Sequence, residues 1–273
     1  MESDLETVLE RIKKIEESLN TLSTVTLPNG KKVSFYAINT STYRRAQALI
    51  QVPEQNIFSE PETTGWIDEF SKGCTLLDIG ANVGTYSVYA AIVKGVKVYA
   101  FEPSSPNFYL LNRNIQINNI SDLVTAFPLA LSNENKTDFL YMPNLNIGQS
   151  GNTAGQDTNW LLQEQNSEVK QAAVIASIDQ LIKDRIITPP NHIKIDVDGI
   201  EPKIIKGATK LLSSGKVESI LIELVDQLPE HSEIIRALNA FGYEHCLKET
   251  EKNRVKDPYW KGLCNYIFRL RRQ

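Results

Sequence analysis

Cysteine is scarce in this chain: Cys74, Cys246 and Cys264 are its three copies in 273 residues. They are odd in number, far apart and form no CxxC or CxxH pair, so a disulfide framework and a zinc site are both unexpected. A surplus of positive charge is missing as well. Lys and Arg number 29 against 33 Asp and Glu, for a net charge of −4. Surfaces that grip nucleic-acid phosphates carry a basic excess or stripe, so nucleic acid is not an expected partner. The cluster Arg269, Arg271 and Arg272 reads as a solvated tail. No run of 18 apolar residues occurs, so no transmembrane helix is expected. The acidic opening MESDLETVLE is unlike a signal peptide, which makes a cytoplasmic location the expectation. Two phosphate-cradling signatures, GxGxxG and GxxxxGK[ST], are also absent.

What is present suits a globular chain. Hydrophobic content of 41% and charged content of 23% are ordinary, and the length can bury one large domain with an appendage. Between residues 4 and 22, Leu5, Ile12 and Leu19 occupy heptad position a, and Val8, Ile15 and Leu22 position d. This predicts an N-terminal coiled-coil helix over 1–24 and a homo-oligomer formed through 4–22. Leu9 widens the stripe, so packing of the helix on its own domain is the alternative.

Residues 25–72 read as a hairpin around Asn29-Gly30 followed by two short helices, together a cap. Residues 73–273 read as the main domain. Strands are expected at Thr75 to Ile79, Val96 to Glu102, Leu123 to Leu131, Ile193 to Val197 and Val217 to Glu223, alternating with helices. An antiparallel pair, Tyr243 to Leu247 and Tyr266 to Leu270, closes one edge. Such alternation implies an α/β fold with a mostly parallel sheet covered on both faces. The Gly- and Asn-rich stretch Asn144 to Gln156 has no period and reads as a long loop of the kind that carries function.

Ligands of open α/β sheets bind beyond the carboxyl ends of the strands. Here those ends carry Asp78, Glu102, Asp196, Asp198, Glu201 and Glu223. Gly80 and Gly84 bracket a turn where a backbone can approach a ligand closely. Asn82 takes the middle glycine position, so pyrophosphate binding is disfavoured. Glu102 closes the second strand, where an acid can accept hydrogen bonds from both ribose hydroxyls. Together these residues favour an adenosine ligand with an amine and a carboxylate, and S-adenosylmethionine fits. Methyl transfer to oxygen needs alignment and a base. Period-two alternation puts Lys194, Asp196 and Asp198 on one face. Asp196 or Asp198 is the expected base or substrate orienter, with Glu201 and Glu223 in reserve. A buried Lys194–Asp196 ion pair is the structural alternative. Asp196, Asp198 and Glu201 could instead hold a divalent metal, although no metal is favoured. Among the histidines His231 is the best placed as a base, and His192 lies at the wrong end of its strand.

Five motifs recur in order: Asp78–Gly84 (DIGANVG), Phe101–Pro103 (FEP), Ala130–Ser132 (ALS), Ser177–Ile182 (SIDQLI) and Ile193–Gly207 (IKIDVDGIEPKIIKG). Together they resemble the FkbM family of S-adenosylmethionine-dependent methyltransferases, from about Glu60 to Phe268. The resemblance implies a Rossmann-like class I methyltransferase, with a seven-stranded mostly parallel sheet and an antiparallel edge strand; the heptad helix lies outside it. It also implies a methionine-side loop of Asp78, Gly80, Ala81, Asn82 and Gly84, and a ribose held by Glu102. Pro103 and Ser104 would flank the adenine, and the Ala130-Leu131 backbone would sit by its ring. Asp198 stands where the family's longer Glu is expected. The implied activity is O-methylation of a hydroxyl on a sugar, glycan or small natural product. An NAD-dependent oxidoreductase is argued against by the missing GxGxxG. A non-catalytic coiled-coil adaptor with a retained nucleoside pocket is the other alternative.

Overall fold

A computed structural model describes residues 21–50, 58–225, 227–254 and 262–271. All but the end of the heptad therefore lies outside the described residues. Its last predicted d position, Leu22, is not helical: it is half-exposed and opens strand β1 (Leu22–Thr26). That strand pairs antiparallel with β2 (Lys32–Tyr36) around the Asn29-Gly30 turn, where Gly30 takes φ +80°. Helices α1 (Thr40–Gln47) and α2 (Pro61–Asp68) follow. The free edge of β2 is not left to solvent. Asn114 Oδ1 accepts from Tyr36 N at 2.9 Å, and Asn118 bonds both the N–H and the carbonyl of Ser34, a way of blunting an edge strand.

The main sheet starts with β3 (Thr75–Ile79), α3 (Thr85–Lys94), β4 (Lys97–Phe101), α4 (Ser105–Ile117) and β5 (Val124–Phe127). The single strand expected over Leu123 to Leu131 is broken at Pro128, which has no N–H to donate to a ladder. Beyond it β6 (Leu129–Leu131) leaves for a second sheet with β7 (Lys136–Met142), β8 (Thr153–Ala154) and β9 (Val169–Ala176), in the order β6-β9-β7-β8. The stretch expected to be all loop thus contains the two-residue strand β8.

The chain returns through α5 (Ile178–Lys183) to β10 (His192–Ile195), α6 (Glu201–Lys206), α7 (Thr209–Ser213) and β11 (Ser219–Val225). It ends with α8 (Pro229–Ala240), β12 (Tyr243–His245), α9 (Leu247–Lys252) and β13 (Leu263–Leu270). The main sheet has seven strands in the order β12-β13-β11-β10-β3-β4-β5. Pairing is parallel from β11 through β5, while β13 runs against both β11 and β12 at one edge. Every residue of β3 and β10 is buried, as expected for strands covered on both faces.

One face packs against α5 to α8. The other shares a single hydrophobic cluster with the cap, in which Val33, Phe35, Trp66 and Phe70 meet Leu76, Val88 and Leu111. The order reverses between β3 and β10, which is where a ligand crevice is expected. Register aligns Ile79 with Phe101 and Ile195, and Ile195 with Ile222. The next residues along these strands, Gly80, Glu102, Asp196 and Glu223, therefore form one rim. Among the described residues no helix is long and apolar enough to cross a membrane.

Candidate functional site

A cavity of about 580 Å³ opens over that rim. Its floor at one end is Phe101, Glu102 and Pro103, faced by Leu129, Ala130 and Leu131; its other end meets Glu60, Glu62, Glu223 and Asn265. Asp196 and Asp198 lie between. A side chamber of about 20 Å³ runs under the Gly80–Asn82 turn to Asp78, Tyr86 and Lys194.

The turn is tightly specified. Gly80 N and Ala81 N both donate to Phe101 O at 3.0 Å. Gly80 has φ +81°, and a Cβ there would lie 1.9 Å from the Asp196 carbonyl oxygen. At Gly84 (φ +87°) a Cβ would meet Leu111 Cδ1 at 2.5 Å. Sequence reasoning assigned both glycines to ligand approach. Their missing side chains also admit the β10 backbone and helix α4; Gly80 lines both cavities, whereas Gly84 lines neither. Asn82 follows in the left-handed region (φ +50°), which Asn tolerates better than most residues.

Glu102 is buried and held at both oxygens. Oε2 accepts from Asn82 N at 2.8 Å and Oε1 from Ser104 N at 2.9 Å. Burial pushes its carboxyl up to about 7, against these two donors. Each carboxylate oxygen retains a second lone-pair direction, enough for a vicinal diol. Ser104 lines neither cavity; its part is to fix Glu102. Asp78 does not reach the main cavity. It is buried, accepts from Ser87 Oγ, and leaves Oδ1 without a partner among the described residues. Burial raises its pKa, against Lys194 and Ser87. Ala81 likewise lines the side chamber alone.

Of the predicted catalytic residues, Lys194 and Asp196 form the ion pair foreseen as the structural alternative, at 2.5 Å, but only Lys194 is buried and the Asp196 side chain stays 34% exposed. Burial alone would lower the Lys194 pKa, but Asp196, Glu60 and Asp78 outweigh it and raise it. Alternation ends at Ile195, because the chain turns through Gly199 at φ +90°. Asp198 therefore leaves the strand face and accepts from Gly151 N at 2.7 Å, on the long loop. Burial pushes Asp198 up to about 7, reinforced by Asp196 and Glu201. Glu223 lines the cavity with no hydrogen bond among the described residues, and burial together with Asp196 and Glu60 raises it well above the usual range.

Glu201 is a correction. It is buried beneath the site, with Oε1 accepting from Gly199 N and Oε2 3.6 Å from His231 Nε2. His231 Nδ1 accepts from Val225 N at 2.6 Å, so this ring is structural and not a base. The alternative metal trio of Asp196, Asp198 and Glu201 is accordingly not assembled. Among the described residues no group of three or more His, Cys, Asp or Glu is placed to hold a metal ion. His192 sits at the start of β10, stacked on Phe70 and bonded to Ser219, with its pKa lowered to about 4 by burial.

The cap residues that reach the site, Glu60, Glu62 and Arg45, are not among those expected from sequence. Glu60, at the N-cap of α2, lines both cavities and accepts from Thr63 Oγ1 at 2.7 Å. Burial pushes it up to about 7, with Lys194 opposing. Glu62 accepts from Asn265 Nδ2 at 2.8 Å across the cavity. Arg45 of α1 also lines both cavities; its Nε donates to Gly148 O at 2.9 Å and its guanidinium lies 4.3 Å from the Phe58 ring centre. The Asn144–Gln156 stretch closes over the turn, as Gln149 O accepts from the side-chain amides of Asn82 and Asn107.

Residues 78–245 match the family model described as the methyltransferase FkbM domain, which is more than half of the chain. The hexuronic acid methyltransferase AglP of Haloferax volcanii is 27% identical over 161 residues, covering 58% of this chain. The chain spans 59% of the length of that curated relative. Among solved structures, methyltransferase FkbM from Methylobacillus flagellatus KT is similar, with a TM-score of 0.49 and 18% identity over 82% of this chain and 54% of that one. Precorrin-6y C5,15-methyltransferase from Geobacter metallireducens GS-15 gives a TM-score of 0.45 and 13% identity, over 78% and 88% of the respective chains.

Proposed function

This chain belongs to the methyltransferase FkbM family, and we propose that it transfers a methyl group from S-adenosylmethionine to a hydroxyl of a sugar. The observation that carries the reading is the single cavity joining a buried, doubly hydrogen-bonded Glu102 to a wall of carboxylates at Asp196, Asp198 and Glu223. Its volume of about 580 Å³ lies within the range of cofactor and small-molecule sites. The residues present fit the cofactor. Glu102 has free lone pairs for the ribose diol, and Phe101, Pro103, Ala130 and Leu131 give an apolar slot for a flat base. The surrounding acids complement a sulfonium cation. The relative named for hexuronic acid supports a sugar as the acceptor class.

Bound S-adenosylmethionine supplies a methyl group already activated for displacement, so alignment and proton removal fall to the protein. Asp198 is the base we favour. Asp196 is committed to Lys194, whereas Asp198 has one backbone donor and a carboxyl near 7, suited to accepting a proton from an alcohol at neutral pH. Glu60 and Glu223 would orient the acceptor's other hydroxyls. A carboxylate in the acceptor's reacting position would face these acids as like charges, which favours hydroxyl methylation. Glu102→Ala, titrated calorimetrically with S-adenosylmethionine, tests the donor half. Labelled donor offered to neutral sugars, glycans and uronic acids tests the acceptor half. Failure of the wild-type protein to bind S-adenosylmethionine would overturn the reading.

A further inference from the structure

Resting on that reading, we infer that Arg45, from the cap outside the family-matched residues, is the binding residue for the carboxylate of the donor's methionine end. Helix α1 is placed with care for a surface helix. Asn39 caps it in a reciprocal box with Thr42, and Asn39 Nδ2 and Ser41 Oγ donate to Ile147 O and Gly148 O of the long loop at 2.8 and 3.0 Å. These bonds fix where Arg45 emerges.

The side chain is then pinned along its length. Nε donates to Gly148 O and the guanidinium carbon lies over the Phe58 ring, while the backbone carbonyl of Arg45 accepts from Thr85 Oγ1 at 3.5 Å, at the first residue of α3. Neither Nη has an acceptor among the described residues, and no carboxylate comes within ion-pair distance of it there. The residue is half-buried and lines both the main cavity and the chamber under Gly80–Asn82. A guanidinium held at its stem, with its forked end free beside a glycine turn, presents the donor geometry that a carboxylate takes in bidentate fashion. Asp196, Glu60 and Glu102 surround it, and a carboxylate from a ligand would complete its coordination. The donor's carboxylate hangs from the same end as its sulfonium, beyond the ribose that Glu102 would hold. That places it at the Gly80–Asn82 end of the cavity, where Arg45 stands.

The test is a double cycle between protein and ligand. Calorimetric titrations would use wild-type protein, Arg45→Met and Arg45→Lys. The ligands would be S-adenosylmethionine and decarboxylated S-adenosylmethionine, which keeps the sulfonium and amine and lacks the carboxylate. The expected result is a loss of roughly 10- to 100-fold in affinity for S-adenosylmethionine in R45M, the range for removing hydrogen bonds to a charged group. Affinity for the decarboxylated ligand should stay within about threefold of wild type, and R45K should fall between, since a lysine keeps the charge and loses the fork. Unchanged binding of S-adenosylmethionine by R45M overturns the assignment while leaving the donor reading intact. Equal losses of both ligands in R45M and R45K also overturn it. So does a variant that keeps the donor and loses glucuronate, because the carboxylate recognised would then be the acceptor's. Wild-type protein that binds neither adenosyl ligand overturns the underlying reading together with this one.

Discussion

The two ends of the cavity are built by different means. At the β3–β4 end the ligand-facing frame is tied to backbone: Gly80 and Ala81 share the Phe101 carbonyl, and Glu102 takes the N–H groups of Asn82 and Ser104. At the β10–β11 end the acids are gathered with few partners. Asp198 has one backbone donor and Glu223 has none among the described residues, and burial raises both. A fixed hydrogen-bond frame suits a ligand of constant shape. Loosely partnered acids of raised pKa suit proton transfer and an acceptor with several hydroxyls. The comparison therefore predicts that lesions at one end change binding and lesions at the other change turnover.

The largest effect should come from the acceptor end. Asp198→Asn is expected to lower kcat by roughly 10²- to 10⁴-fold, the span for removing a general base, while calorimetric affinity for S-adenosylmethionine stays within a few-fold. Near-normal turnover in Asp198→Asn, with loss in Glu223→Gln, would transfer the role to Glu223.

Next in size is a lesion of the frame itself. Gly80→Ala puts a Cβ against the Asp196 carbonyl in a left-handed conformation, and overpacking plus backbone strain should cost about 2–5 kcal/mol in urea unfolding. Gly84→Ala should cost less, because it meets the movable end of Leu111. Equal costs would mean that the β10 backbone yields as readily as a side chain.

Glu102→Ala comes third. It should weaken S-adenosylmethionine by roughly 10- to 100-fold, as removal of charged hydrogen bonds does, with kcat at saturating donor changed far less. A fall in kcat with unchanged affinity would reverse the assignment of the two ends.

This division also explains what could be read from sequence. The β3–β4 end lies within one βαβ unit, so an acid, a glycine turn and a second acid at fixed spacing identify it without distant information. The sheet was legible for the same reason, as each strand is a local apolar run. Pro128 marked the break between β5 and β6 in plain view, yet a third strand was expected to run through it. Arg45 and Glu60 carry no local mark: one sits in the polar helix TSTYRRAQ, the other ahead of a helix N-terminus. Only tertiary contact with Gly148, Phe58 and the sheet brings them to the cavity. Alternation was carried past Ile195, so Asp198 reaches the cavity from a turn and not from the strand face, while Glu201, named only as a reserve, is buried at the start of α6.

The smallest effect is the most discriminating, because pH acts on both ends at once and moves stability and donor affinity in opposite directions. Burial raises Glu60 and Glu102 from 4.5 and Asp198 from 3.8, each to about 7. Between those values the folded chain holds protons that the unfolded chain has released. Stability of the ligand-free protein should therefore be fully present below about pH 4 and be lost as pH rises through about 7. A cationic donor prefers the ionised carboxylates, so its affinity should rise a few-fold through the same window. Thermal unfolding should show Tm falling from about pH 5.5 to about pH 8 without ligand, and the increment given by S-adenosylmethionine growing over that range. In Asp198→Asn, which keeps the frame at Glu102, the ligand increment should retain most of its slope while the rise of kcat near pH 7 disappears. Loss of both slopes together would mean that the two ends titrate as one unit, and the division of the cavity would not hold.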